Sequence, residues 1–240
     1  MSAPAPAEGH WEENDYVSGR PADYLVQILL HLTQLGHRPT TTATRTQILE
    51  KAIVLLARRG YAGTSMRDIA RQVGIKAASL YTHFPNGKPQ LVMDSLTGIF
   101  DQFLDHMVTG LDQNASAAAQ VWHVIQRHVS WQVEYAEKAA AWDTAMDQFG
   151  VTTELDPQII DESRRRQELY HAYFVSLVHQ IRPDAEARPR ALGLLQMCDR
   201  AKVFHSSSGG DFESHEQVAQ FIWSMAIDLI PIPAAEQAID

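Results

Sequence analysis

The sequence predicts an all-α protein. Apolar residues recur at three- and four-residue intervals over most of its 240 positions. Two capping boxes, Ser65 with Asp68 and Ser214 with Gln217, mark helix starts. Glycine or proline closes many of the apolar runs, as at Gly36, Gly74, Gly150, Pro183 and Pro231. The chain is 45% apolar, enough for a packed core, and long enough for one large or two small domains. Cys198 is the single cysteine, so no intramolecular disulfide forms, which fits a reducing cytoplasm. No apolar run approaches the roughly 18 residues of a membrane span. Met1 to Asp15 holds acids but no basic segment before an apolar one, so no secretory signal is expected. Cytoplasmic location and no membrane partner are the expectations.

Taken in order, residues 1–20 mix Pro, Ala, Gly and acids and predict a mobile tail. Residues 21–36 predict a helix, with Leu25, Ile28, Leu29, Leu32 and Leu35 on one face and Gly36 as its stop. It is expected to pack on the body of its own subunit or of a partner; a second reading has it steady the domain that follows. Thr40 to Thr44 reads as a polar linker, so residues 1–40 form an N-terminal extension. Residues 41–94 form the most specific part of the chain. Ser65 caps a helix whose apolar stripe is Met66, Ile69, Ala70 and Val73, and Gly74 sits where a left-handed residue would end it. Ile75, Ala78 and Leu80 are expected to anchor the next short helix, leaving Lys76, Ala77, Ser79, Tyr81, Thr82 and His83 outward. Two short helices joined by a glycine turn are the signature of a helix-turn-helix, whose second helix enters the major groove of DNA.

Charge points the same way. Residues 45–94 hold eight Lys and Arg against three acids, or +5, whereas the whole chain is −9, so the remainder is −14. A basic island on an acidic protein suits phosphate binding. A merely solvated surface explains eight cations too, and the glycine turn decides between the two readings.

The segment resembles the tetracycline-repressor (TetR) family of transcriptional regulators. The resemblance runs from Thr44-Arg45-Thr46-Gln47-Ile48-Leu49 through Ala52, Gly60-Tyr61, Thr64-Ser65, Asp68-Ile69-Ala70, Gly74-Ile75 and Leu80-Tyr81-Thr82-His83-Phe84, and closes on Pro85-Asn86-Gly87-Lys88. It implies a three-helix DNA-binding domain at about 45–60, 64–73 and 76–83, then a fourth helix from about 88 into an all-helical regulatory domain. It also implies a homodimer on a pseudo-palindromic double-stranded operator, released when a small effector enters the C-terminal domain. Thr64 matches a helix N-terminus set against phosphate, and Tyr81 and Lys88 match backbone-contacting positions. Arg67, Lys76, Ala77, Ser79 and Thr82 are the candidates near base edges. Many relatives begin the recognition helix with Ser then Lys; here Lys76 then Ala77 stand there, so the usual cap is missing. Phe84 is expected under the helices, with His83 orienting the turn.

Residues 95–240 predict a helical regulatory and dimerisation domain. The fourth helix carries Leu91, Leu96, Ile99, Phe100, Phe103 and Leu104, and further runs span about 116–135, Ala139 to Gln148, Asp156-Pro157 to Pro183, Pro189 to about His205, and Ser214 to Ile230. Family resemblance assigns Leu192 to Phe204 and Val218, Phe221, Ile222, Met225 and Leu229 to a four-helix dimer interface; intramolecular core is the rival for each. Trp122, Trp131, Tyr135, Trp142 and Tyr173, with His128, are the candidates for an apolar effector pocket, although ordinary core packing explains each aromatic. Arg164-Arg165-Arg166 gives that region a resemblance to regulators of lipid and acyl-thioester metabolism; a solvated helix face is the other reading.

The expected function is a ligand-responsive repressor released by a hydrophobic or amphipathic effector, lipid-like or an acyl thioester. A constitutive DNA-binding regulator is the alternative, and a helical enzyme a remote third. No catalytic group, metal or cofactor is expected. His215-Glu216 starts like a zinc-protease helix but Ala219 stands where the second His belongs. His205-Ser206-Ser207-Ser208-Gly209-Gly210-Asp211 lacks the strand context of a nucleophile elbow.

Overall fold

A computed structural model of the chain describes residues 21–26, 28, 43–149, 157–206 and 209–237. The 1–20 tail, the 29–36 part of the first expected helix and Asp156 lie outside them. The named helices are α1 (Ala43–Arg59), α2 (Met66–Val73), α3 (Ala77–His83), α4 (Gly87–Val108), α5 (Ala117–Glu134), α6 (Ala136–Phe149), α7 (Pro157–Ile181), α8 (Ala187–Asp199), α9 (Ala201–Phe204) and α10 (His215–Leu229). Residues 21–26 and 28 are helical as well, with Tyr24, Leu25 and Ile28 buried in the common core. Among the described residues there is no strand, only an isolated parallel bridge between His205 and Phe212.

Local chemistry sets most boundaries. The Ser65 hydroxyl accepts from the Asp68 amide, and the Asp68 carboxylate accepts from the Ser65 amide, so α2 starts where its capping box stands. Gly74, at φ 84°, closes α2: its N–H donates to the Ala70 and Arg71 carbonyls. Ser116 caps α5 by accepting from Ala119, and Ser214 with Gln217 forms the second box at α10. Three boundaries differ from expectation. Ala43 and Thr44 already belong to α1 rather than to a linker. α6 begins at Ala136, directly after Tyr135 departs from helical geometry, so only one residue separates it from α5. The run from Pro189 to His205 is two helices, because the chain turns at Arg200. After α9 the Phe212 amide donates to the Phe204 carbonyl at 3.1 Å, and a Cβ on Gly210 would lie 2.1 Å from that carbonyl oxygen, so glycine is required there.

The core is continuous from end to end. α1 packs against α2, α4 and α6, and α5 lies between α7 and α10. Ile48, Ala52, Ile53 and Leu56 of α1 are fully buried, as are Leu80 and Phe84 beneath α3. No helix among the described residues is long and apolar enough to cross a membrane.

Candidate functional site

The helix pair α2–α3 presents one polar face. α3 turns Leu80 and, just past its end, Phe84 inward and leaves Ala78, Ser79, Tyr81 and Thr82 exposed; Lys76, its uncapped N-cap residue, is exposed too. Ala77 is half-buried against the core and Ala78 faces out, the reverse of expectation, while Lys76, Ser79, Tyr81 and Thr82 are exposed where they were expected to be. The cause is the short helix's spacing, since positions 77, 80 and 84 share one stripe. Arg67 is exposed on the first turn of α2, where the Met66 and Arg67 amides have no acceptor within the helix.

Two expected phosphate contacts are placed otherwise. Thr64 is only 2% exposed; its hydroxyl donates to the Gly60 carbonyl at 3.0 Å and its amide to the Tyr61 carbonyl at 3.3 Å. Its place at the helix entry is taken by the exposed Ser65. The Lys88 ammonium donates to the carbonyls of Tyr61 (2.7 Å) and Thr64 (3.1 Å) and sits 3.7 Å above the Tyr61 ring. It therefore clamps the α1–α2 turn onto the start of α4 through charge-assisted hydrogen bonds. Arg45 is likewise inward, pairing with Asp94 at 2.5 Å and stacking on Phe84 at 4.8 Å. Arg59, Arg67, Arg71 and Lys76 remain exposed on the basic domain. Hydrogen bonds from the Ser65 hydroxyl and amide hold the Asp68 carboxyl below the usual carboxylate range, so it stays charged and supports the cap.

A second candidate site is a cleft between the middle helices. Ile99, Phe100 and Phe103 line it from α4, His128, Trp131 and Gln132 from α5, and Ala139, Trp142 and Asp143 from α6. Gln167, Tyr170 and His171 come from α7, and Asp199 closes it from the end of α8. Its free volume is about 70 Å³. An outer cleft of about 180 Å³ shares Trp142, Asp143, Gln167 and Asp199 and adds Met146, Gln196 and Arg200. His128, Trp131 and Trp142 thus come together as expected from sequence.

The other three expected residues do not join them. Trp122 packs on Trp223 (5.5 Å between rings), Tyr173 is buried with its hydroxyl donating to Gln120 Oε1 at 2.9 Å, and Tyr135, 39% exposed, stacks on the outer side of Trp131. Helical rotation sends Trp122 and Tyr173 to other faces, while Tyr135 stands just past the end of α5. Sequence reasoning missed Gln132, Asp143, Gln167 and Asp199. Adjacency of Trp142 and Asp143 was the available signal, an acid within an aromatic run.

The cleft is electrostatically organised. The Tyr170 hydroxyl lies 3.0 Å from His128 Nδ1, and His128 Nε2 lies 3.0 Å from Asp199 Oδ1. The relay is satisfied with the phenol donating to Nδ1 and Nε2–H donating to the carboxylate. Burial pushes the Tyr170 phenol well up and brings His171 down to about 4. Burial, then the nearby Asp199 charge, raises the Asp143 carboxyl. Gln132 is 4% exposed, and its Oε1 has no hydrogen-bond partner among the described residues. From α7, Arg166 pairs with Asp101 of α4 at 2.8 Å, so this arginine is neither solvated nor open to a head group, whereas Arg164 and Arg165 are exposed.

On α10, Val218 and Ile222 are fully buried within the subunit against α5, which corrects their assignment to a dimer contact: that stripe already faces the core. Phe221 and Met225 are half-buried, Leu229 (39%) stands exposed on the same helix, and Val203 (56%) stands exposed on α9. Phe221 meets Phe204 and Phe212 at 5.5 and 5.2 Å between rings.

Residues 48–92 match the family described as bacterial regulatory proteins, tetR family. The biofilm operon negative transcriptional regulator IcaR of Staphylococcus epidermidis is 39% identical over 70 residues, 29% of this chain and 37% of the relative. The transcriptional repressor KstR2 of Rhodococcus jostii is 38% identical over 81 residues, 32% of this chain and 39% of the relative. The chain therefore spans under two-fifths of those two proteins. Among solved structures, AibR in complex with isovaleryl coenzyme A and operator DNA superposes with a TM-score of 0.63 and 21% identity, covering 78% of this chain and 98% of that one. That likeness shows a shared fold across both halves of the molecule.

Proposed function

From its membership of the TetR family of bacterial regulatory proteins, we propose that this chain is a ligand-responsive transcriptional repressor acting as a homodimer on a two-half-site operator. The observation that carries the reading is the α2–Gly74–α3 unit, whose exposed polar stripe of Lys76, Ser79, Tyr81 and Thr82 is backed by a fully buried Leu80 and Phe84. A rigid inner side with an open polar side is what a helix needs to lie in a major groove. Arg67 and the open amides at the start of α2 suit phosphate.

The cleft supports a response to ligand. Phe100 and Phe103 project into it from α4, and the same helix begins at the Lys88 clamp under the DNA-facing turn. A ligand that wedges these rings apart would tilt α4 and change the spacing of the two recognition helices. It can do so only by its difference in affinity for the two arrangements. AibR was solved with an acyl coenzyme A, which makes a small organic effector a natural class. The second reading, a regulator indifferent to small molecules, is favoured by the free volume of about 70 Å³, well below that of a ligand-filled pocket.

Dimerisation would use the apolar strip of Val203, Phe221, Met225 and Leu229. Mobility shift of genomic fragments with the purified protein tests the core of the proposal. Salt-sensitive, sequence-preferring binding by a dimer is expected; binding that ignores sequence at every salt concentration refutes it.

A further inference from the structure

The inner cleft is apolar, acidic and left with an unanswered acceptor, and those three features define a ligand chemistry. We propose that it binds a protonated primary or secondary amine carried on a small apolar body. This rests on the reading of the cleft as an effector site and deepens it to a chemical class.

Gln132 Oε1 is buried and unpartnered in the wall of the cleft. A buried acceptor without a donor has lost its water and gained nothing in return, so a ligand N–H has something definite to satisfy. Asp143 is half-buried, and no hydrogen bond or ion pair joins it to another described residue. Asp199, the other carboxylate, already takes the His128 Nε2–H, and its charge disfavours that of Asp143. A cation between them removes that conflict. Arg200 borders only the outer cleft, and it and Lys202 act on Asp143 as weaker attractions behind burial and Asp199. No Lys or Arg among the described residues lines the inner cleft.

Aromatic walls complete the site. Phe100 and Trp142, 4.9 Å apart, with Phe103 and Trp131, offer ring faces that attract a cation. Inner volume fits an ammonium head, and a small body extends from it along Trp142 and Met146 of the adjoining outer cleft. An ammonium with N–H groups meets both Gln132 and Asp143, whereas a quaternary ammonium meets only the charge. A carboxylate or phosphate would face two acids.

The test is calorimetric titration of the full chain with benzylammonium, benzyltrimethylammonium, benzyl alcohol and benzoate, without DNA. Benzylammonium is expected to bind about tenfold or more tighter than each of the others. Asp143→Asn is expected to erase the preference over benzyl alcohol. Gln132→Leu is expected to bring benzylammonium down to the level of benzyltrimethylammonium. The wild-type series decides by itself should a variant fail to fold. Absence of benzylammonium binding, equal or tighter benzoate binding, or a charge preference that survives in folded Asp143→Asn overturns the proposal. Operator binding is read separately, so a failure here leaves the repressor reading standing, and loss of DNA binding leaves the cleft chemistry standing.

Discussion

Lys76 and Lys88 carry the same charge within one small domain and do different work. Lys76 is exposed at the start of α3, while Lys88 spends its ammonium on two carbonyls and a ring. Lys88→Met removes the ammonium from both carbonyls, leaving Tyr61 with only the Thr64 amide, at a cost of about 1–3 kcal/mol. The variant is expected to melt several degrees lower by circular dichroism and to lose DNA affinity as a consequence. Lys76→Ala is expected to keep the wild-type melting temperature and to reduce the salt dependence of binding by about one phosphate contact. Equal melting losses in the two variants would show that the clamp is unimportant. Thr64 teaches the same lesson: its motif position suits phosphate, but its hydroxyl is turned onto Gly60. Both residues were legible as belonging to the domain. Their directions were not, since a side chain's acceptors come from elsewhere in the chain.

Among the elements, α2 and α10 were legible almost to the residue because their capping boxes are local chemistry. Gly74 is equally local. Its φ of 84° makes any side chain strained, and a Cβ there meets nothing within 4 Å, so Gly74→Ala isolates the conformational cost. That substitution is expected to destabilise by about 1–2 kcal/mol and to weaken operator binding by misaiming α3, read by denaturant melts and mobility shift. A wild-type melt would mean that the turn relaxes freely. α5 shows where local reading stops. Trp122 and Trp131 sit on one helix, yet the first packs on Trp223 and the second on the cleft. Trp122 is half-buried, so Trp122→Ala is expected to cost about 1–3 kcal/mol of stability without altering the amine selectivity of the folded protein. The break at Arg200 was hidden for a related reason: no proline or glycine marks it.

For the molecule as a whole, burial of titratable groups couples stability to pH. His171 and His106 have values of about 4 in the folded state against 6.5 for an ordinary histidine, chiefly through burial. As pH falls below 6.5 the unfolded chain takes up protons that the folded one refuses, so stability declines between about 6.5 and 4. Asp143 opposes this, because its raised value lets the folded state take a proton first on the acid side. The net expectation is a melting temperature that drops across that window, and a shallower drop in His171→Gln. Thermal melts at a series of pH values check it; an unchanged slope in the variant would exclude His171 as a source. Assembly is expected to divide along α10. Leu229→Asp should shift sedimentation toward monomer with the fold intact, whereas Ile222→Asp should unfold the chain, since Ile222 is fully buried. A Leu229→Asp protein that sediments as the wild type does would remove this strip from the interface.

Helix content, the glycine turn, both capping boxes and the family resemblance were all decided by residues within a few positions of one another, and such short-range patterns survive in a linear text. The register of α3, the inward turn of Lys88, the burial of Val218 and Ile222, and the meeting of Gln132, Asp143 and Asp199 in one cleft were set by how five or more helices rotate and pack. Gln132 and Asp199 are 67 positions apart, and α10 meets α5 across more than 80; a helix's periodicity states that it has a buried face without stating which neighbour will cover it.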